Sequence, residues 1–241
     1  MLIDRFEHKE TLAKLWHNVF GDSYAYIELI FNKACDESIL CFAELESGKA
    51  ISAFYLLGSK LFYKGNTYRG YYLYAAATDE GYRGKGLMSS LIKEAELYCE
   101  NNGYDFISLV PSEKSLYGYY RRFGFLNSMY CFVADRSTLE ELCIITPDEY
   151  CLRRKELCSN YMMFDSEAFI YASDCLKAAG YNFYKSGESI AIKNDEGDIV
   201  ELLSPEDNNN ERFPFGMLYP INSALNSERE YPDIYMNIAL D

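Results

Sequence analysis

Apolar positions recur with helical spacing near the start of the chain. Leu12, Leu15, Trp16, Val19 and Phe20 fall at i, i+3, i+4, i+7 and i+8, one face of a helix suited to burial. Gly21-Asp22-Ser23 stops that helix and caps a second one carrying Tyr26, Ile27, Ile30 and Phe31. From Ser38 the pattern changes to that of strands. Ser38 to Glu46, Ala50 to Leu57 and Thr67 to Thr78 read as a three-strand meander, with turns at Glu46-Ser47-Gly48-Lys49 and Lys64-Gly65-Asn66. The third strand ends in Ala75-Ala76-Ala77-Thr78, and a polar, glycine-bearing loop follows, Asp79 to Gly86. Met88, Leu91, Ile92, Ala95 and Cys99 place a helix directly after that loop, ended by Asn101-Asn102-Gly103. Phe106 to Val110 is apolar enough for a buried strand of a parallel sheet. A short aromatic helix over Leu116 to Phe123, stopped by Gly124, precedes a strand over Phe125 to Ala134, and Asp135 to Glu141 read as a connector.

Beyond about residue 140 the pattern is weaker. Asp165 or Ser166 caps a helix with an inner face of Phe169, Ala172, Leu176 and Ala179, ended by Gly180. Phe183-Tyr184, Ile190 to Ile192 and Ile199-Val200 read as short strands, with turns at Ser186-Gly187 and Asn194 to Gly197. Asn194 to Glu211 is acidic and lacks Lys and Arg, and its Glu206 to Asn210 stretch reads as a solvated loop. The chain closes on the apolar run Ile234 to Leu240, and no internal repeat is evident. The expected class is α/β (α+β): a mixed central sheet with flanking helices over residues 1–138, and a smaller α+β unit over 139–241.

Composition narrows the partners. With 37 acidic against 23 basic residues the net charge is −14, a surface that repels phosphate backbones and anionic bilayers. Neither nucleic acid nor a membrane is expected as a partner. No run approaches the ~18 apolar residues of a membrane span, and the early charges of Asp4, Arg5 and Glu7 do not suit a secretory signal. The eight cysteines form no C-x-x-C and the only histidines are His8 and His17, so no metal is expected. The thiols read as reduced and largely buried, which implies a cytoplasmic location.

The segment Tyr82 to Ser89 carries the chemistry. A glycine-bearing turn at a helix N-terminus presents unpaired backbone N–H groups and the positive end of the helix dipole, a setting for phosphate. Gly84 and Gly86 permit close backbone approach, while Arg83 and Lys85 add charge. The loop is neither G-x-x-x-x-G-K-[ST] nor G-x-G-x-x-G, which excludes a P-loop and the dinucleotide fingerprint.

The loop resembles the R/Q-x-x-G-x-G/A acyl-CoA loop of the GNAT N-acetyltransferase superfamily, with Arg83 and Gly86 in register and Met88 where Gly or Ala is usual. The run Thr78-Asp79 through Tyr82-Arg83-Gly84-Lys85-Gly86-Leu87-Met88 is similar to the enhanced-intracellular-survival (Eis) branch. So is Leu15 to Ser23, while Tyr120-Arg121-Arg122-Phe123-Gly124-Phe125 is similar to the family's Y-x-x-x-G-F element. The resemblance spans about residues 1–135. It implies a GNAT fold and acetyl-CoA as co-substrate, with backbone groups of Ala76, Ala77 and Thr78 along the pantetheine arm. The pyrophosphate would lie on Arg83, Gly84, Lys85, Gly86, Leu87, Met88 and Ser89. Residues 139–241 would be either a degenerate second GNAT-like domain or a family-specific extension; they contain no copy of the loop.

Acyl transfer to an amine needs a neutral amine, a donor for the developing oxyanion and a proton for the departing thiolate. By the resemblance Tyr120 is the general acid. Many GNAT enzymes keep a carboxylate on the long strand, yet Thr67 to Thr78 has none. The Eis branch points instead to a carboxylate at the chain end, here Asp241, with water-mediated deprotonation as an equal alternative. The expected activity is N-acetylation of a primary amine on a small cationic acceptor. An acyl-CoA sensor without turnover is the alternative, and a tandem-GNAT aminoacyl transferase is disfavoured by the charge. A homo-oligomer is compatible with the sequence, which specifies neither the oligomeric state nor the acceptor.

Overall fold

The computed structural model describes residues 1–32, 38–132, 141–205, 212–225, 233–236, 238 and 240. Cys35, the connector from Asp135 to Glu140, the acidic stretch Glu206 to Asn210, and Asp241 lie outside the described residues. The first part runs β1 (Leu2–Ile3), α1 (Lys9–Phe20), α2 (Tyr24–Ile27) with a 3-10 turn Glu28–Phe31, then β2 (Ile39–Glu46), β3 (Lys49–Tyr63) and β4 (Asn66–Thr78). These are followed by α3 (Leu87–Asn101), β5 (Phe106–Leu109), α4 (Lys114–Arg121), β6 (Leu126–Asn127) and β7 (Met129–Phe132). Both hairpins of the meander turn on two residues with positive φ, Ser47-Gly48 (51° and 77°) and Lys64-Gly65 (49° and 77°), the backbone that matches strand twist.

The remainder comprises β8 (Cys143–Ile144), α5 (Pro147–Leu157), β9 (Tyr161–Phe164), α6 (Ser166–Ala178), β10 (Tyr181–Ser186), β11 (Ser189–Asn194) and β12 (Ile199–Leu203), then β13 (Arg212–Pro214), β14 (Met217–Pro220) and β15 (Ile234–Tyr235). Asp165 caps α6 by accepting from Ala168 N–H at 3.0 Å. Strands β12-β11-β10-β8 form a small antiparallel sheet.

The main sheet is mixed and eleven-stranded, ordered β13-β7-β15-β9-β3-β4-β5-β14-β6, with β2 and β1 beside β3. β3 is long enough to hold two partners on one edge, β2 along Lys49 to Leu57 and β9 along Ser59 to Phe62. β14 inserts antiparallel between β5 and β6, and β15 inserts parallel between β7 and β9. Strands from beyond residue 140 thus complete the sheet begun by the first part. One face packs Phe54, Leu56, Leu73 and Ile107 against Leu91, Ile92, Ala95 and Cys99 of α3. The other carries Tyr55, Leu57 and Tyr72 against Leu12, Leu15 and Trp16 of α1 and Phe169 and Ala172 of α6.

Four expectations change. β3 runs on past Leu57 to Tyr63, through the small and polar Gly58-Ser59-Lys60 that masks a strand in sequence. The strand expected over Phe125 to Ala134 is two short strands, because the Gly216 carbonyl accepts from both Ser128 and Met129 N–H and the partners differ on either side. Ala179 is exposed at the end of α6, and Phe20 is 46% exposed at the end of α1. Behind the sheet, Arg154 and Glu201 are fully buried and paired (Nε–Oε2 3.0 Å, Nη2–Oε1 3.1 Å). Arg154 Nη1 also donates to the Met162 carbonyl at 2.9 Å, and Tyr150 donates to Glu201. This network ties α5, β9 and β12 together. No described helix is long and apolar enough to cross a membrane.

Candidate active site

The helix start anticipated from sequence is present and open. Gly86 is the N-cap of α3 in the left-handed region (φ 80°), and no side chain caps the helix. The N–H groups of Leu87, Met88 and Ser89, which precede the first Ser90 N–H to Gly86 carbonyl bond of 3.0 Å, therefore have no intrahelical partner. Gly84 is also left-handed (φ 76°), and nothing lies within 4 Å of a Cβ built on either glycine. Backbone conformation fixes these two glycines, and the space beside them is open.

Side chains brace the loop from behind. Asp79 accepts from Gly81 N–H at 3.0 Å, Tyr82 donates to Glu46, and Lys85 Nζ lies 4.4 Å from the centre of the Tyr82 ring. Arg83 Nε donates to the Thr78 carbonyl at 3.2 Å, so this guanidinium ties the loop to the end of β4 as well as adding charge. Ser89 Oγ sits 3.3 Å from the Tyr119 hydroxyl of α4.

The strand ahead of the loop is irregular near its end. β4 spends three steps, Tyr74 to Ala77, against two of β3, Ala53 to Tyr55. This is a bulge that leaves one residue unpaired. Ala75 takes φ 50°, a left-handed conformation costing a non-glycine residue about 1–2 kcal/mol. Beyond it, Asp79 N–H donates to the Ile51 carbonyl at 2.9 Å, so by the antiparallel alternation Ala77 bonds toward β3 while Ala76 and Thr78 present their main chain on the opposite edge. Ala76 is thus turned away from β3, whereas Ala77 pairs with Ala53 and its carbonyl accepts from Ser52 Oγ at 3.3 Å.

β4 and β5 pair in parallel only from Gly70–Phe106 to Tyr72–Ser108 and then separate. The gap is a cleft of about 420 Å³, lined on one side by Tyr74, Ala75 and Ala76 and on the other by Leu109, Val110 and Tyr120. That volume falls in the range of small-molecule sites.

Tyr120 reaches the cleft from α4. It is 7% exposed, and burial pushes its phenol up to about 12. Its ring packs edge-on to Tyr119 and Phe125, with centroids 5.2 and 5.8 Å away. A phenol held this way stays protonated at neutral pH and can donate.

Sequence reasoning missed Asp22. It reads as a turn and cap residue between α1 and α2, yet it lines the cleft with Trp16, Phe20 and Tyr74 and is the carboxylate among the described lining residues. Trp16 Nε1 donates to its Oδ2 at 2.7 Å, which leaves Oδ1 for a second donor. The sequence carries no signal for it; in the fold α1 ends by bringing the Phe20 ring and then Asp22 to one hollow. Leu240 lines the same cleft; Asp241, expected there as a base, is outside the described residues. Among the described residues no cluster of three His, Cys, Asp or Glu side chains is arranged to hold a metal.

No curated protein matches the sequence. Among solved structures, the fold is similar to a conserved protein from Enterococcus faecalis V583 described as a probable N-acyltransferase (TM-score 0.63, 12% identity, 92% of this chain and 72% of that one). It is similar also to a GCN5-related N-acetyltransferase from Anabaena variabilis (TM-score 0.66, 14% identity, 90% and 71%). Eis1 from Mycobacterium abscessus superposes with TM-score 0.61 at 12% identity over 86% of this chain, which spans 59% of that protein. Identities this low establish a shared fold and leave the chemistry to the residues. A family model for the acetyltransferase (GNAT) domain matches residues 6–126, just over half of the chain, and covers the bulged strand, the open loop and Tyr120. The chain belongs to the GNAT acetyltransferase family.

Proposed function

We propose that this chain moves an acetyl group from acetyl-CoA to a primary amine on a small cationic acceptor. The observation that carries the reading is an uncapped helix start that follows a bulged strand whose Ala75 and Ala76 line a cleft between parting strands. The diphosphate would rest on the N–H groups of Leu87, Met88 and Ser89 and the loop from Arg83 to Gly86. The pantetheine arm would follow the edge of β4 turned away from β3, at Ala76 and at Thr78, whose carbonyl Arg83 holds, into the cleft. When bound, acetyl-CoA supplies an activated acyl group as a thioester.

The chain's own groups supply the rest. The main chain freed by the bulge at Ala75 can donate to the oxygen that gains negative charge, from a position fixed before reaction. The Tyr120 hydroxyl holds the proton that the departing sulfur needs. Asp22 Oδ1 attracts and orients a cationic amine, with Trp16, Phe20 and Tyr74 as apolar walls. The cleft is open to solvent, so water carries off the amine proton. Residues 1–138 form the CoA-binding part in this reading, and 139–241 complete the sheet and close the cleft through Leu240.

The test is release of free thiol from acetyl-CoA with a panel of primary amines, including di- and polyamines, alongside neutral hydroxyl acceptors. Turnover confined to amines is the expected result. Tight CoA binding with no turnover on any amine would favour a sensor, and turnover on hydroxyl acceptors alone would displace the amine assignment.

A further inference from the structure

A second cavity of about 360 Å³ lies at the far end of β4, where α6 and β9 meet the first part of the chain. By strand rise, Arg69 is about 20 Å from Ala75. The lining carries two cations. Lys60 on β3 and Arg69 on β4 are direct cross-strand partners on the same face, a like-charge pairing that disfavours the sheet. The start of α6 adds two carboxylates to the same lining, Asp165 and Glu167, and that of Asp165 lies over Gly58 of β3, two residues before Lys60. Among the described residues no ion pair joins these cations to Asp165 or Glu167, and neither Lys60 nor Arg69 has an ionic partner. The carboxylates are positioned by neighbours: Asp165 Oδ1 holds Ala168 N–H at 3.0 Å, and Glu167 Oε2 accepts from Ser38 Oγ at 3.2 Å. The Arg69 guanidinium lies 5.6 Å from the centre of the Tyr104 ring.

Opposite charges that line one small hollow without pairing are suited to a guest that carries both. We infer that this cavity binds a small zwitterion of the amino-acid class. Its carboxylate meets Lys60 and Arg69, and its ammonium meets Asp165 and Glu167. Such a ligand relieves the Lys60–Arg69 repulsion and bridges the two parts of the chain, independently of the acetyltransfer reading.

The full chain is titrated, without acetyl-CoA, with glycine, L-serine and L-glutamate by calorimetry and thermal shift. Acetate and methylamine serve as single-charge controls. At least one amino acid is expected to bind saturably and raise Tm, with affinity weakened about tenfold or more in Lys60→Met and in Arg69→Met and unchanged in Asp22→Asn, which reports on the acceptor cleft. CoA binding by the Lys60 and Arg69 variants checks that they fold. No saturable binding of any of the three overturns the inference. So does binding that persists in Lys60→Met, that is lost in Asp22→Asn, or that acetate or methylamine reproduces.

Discussion

Replacing Tyr120 by Phe isolates one proton. The phenyl ring is what packs, edge-on to Tyr119 and Phe125 at 5.2 and 5.8 Å. No hydrogen bond to the hydroxyl occurs among the described residues, so its removal deletes no protein partner and leaves stability nearly unchanged. Burial holds the phenol at about 12. At pH 8 about one molecule in ten thousand is then ionised, and the donor is present throughout the working range. A positioned general acid contributes about 10²–10⁴ in rate, or about 2.7–5.4 kcal/mol of barrier. The expected outcome is a fall in kcat of that size, measured by thiol release at saturating acetyl-CoA and amine, with Tm and the Kd for CoA unchanged. The wild-type profile should also show no loss of activity assignable to this group below about pH 11. A kcat within about threefold of wild type would refute the role, and so would a loss of CoA affinity that accounts for the whole effect.

Other outcomes follow from neighbouring geometry. Asp22→Asn keeps an oxygen for Trp16 Nε1, whose bond is 2.7 Å, but removes the charge. The KM of cationic amines should rise about ten- to hundredfold with the KM of acetyl-CoA unmoved, and equal changes in both would contradict the assignment. Glu201→Gln strands the fully buried Arg154 and should cost about 3–5 kcal/mol, lowering Tm by roughly 6–20 °C in differential scanning calorimetry. An unchanged Tm would show that the pair is not part of the cooperative core. Burial pushes the Cys41 and Cys99 thiols up to about 12 from an ordinary 9. The folded pKa is the raised one, so their contribution is complete below about pH 9 and is lost as pH climbs toward 12. Denaturant midpoints should fall across that window, and a flat midpoint there would oppose the burial of these thiols.

The loop was legible because its demands are local. Glycines at Gly84 and Gly86 followed by apolar spacing from Met88 to Cys99 specify a left-handed entry and a helix, and the chain adopts both. Asp165 was likewise readable as a cap, since the bond it makes is three residues away. The bulge at Ala75 was not legible, because alanine gives no sign of a positive φ imposed by pairing with β3. The insertions of β14 and β15 depend on partners far apart in sequence, Leu109 with Met217 and Met129 with Ile234. Short strands carry too little periodicity to announce such pairings. Asp22 escaped notice for a related reason: an aspartate in a turn between two helices, flanked by the caps Gly21 and Ser23, needs no further explanation until the fold shows what else it faces.

The open start of α3 is tested most directly by titrating CoA calorimetrically into the full chain and into a Gly86→Val variant. Valine strains the φ of 80° and places a branched side chain before the N–H groups of Leu87 to Ser89. The account predicts saturable binding by the parent chain and a loss of about tenfold or more in affinity for the variant, with Lys60→Met unaffected. Absence of heat with the parent chain, or equal affinity in the Gly86 variant, would contradict it.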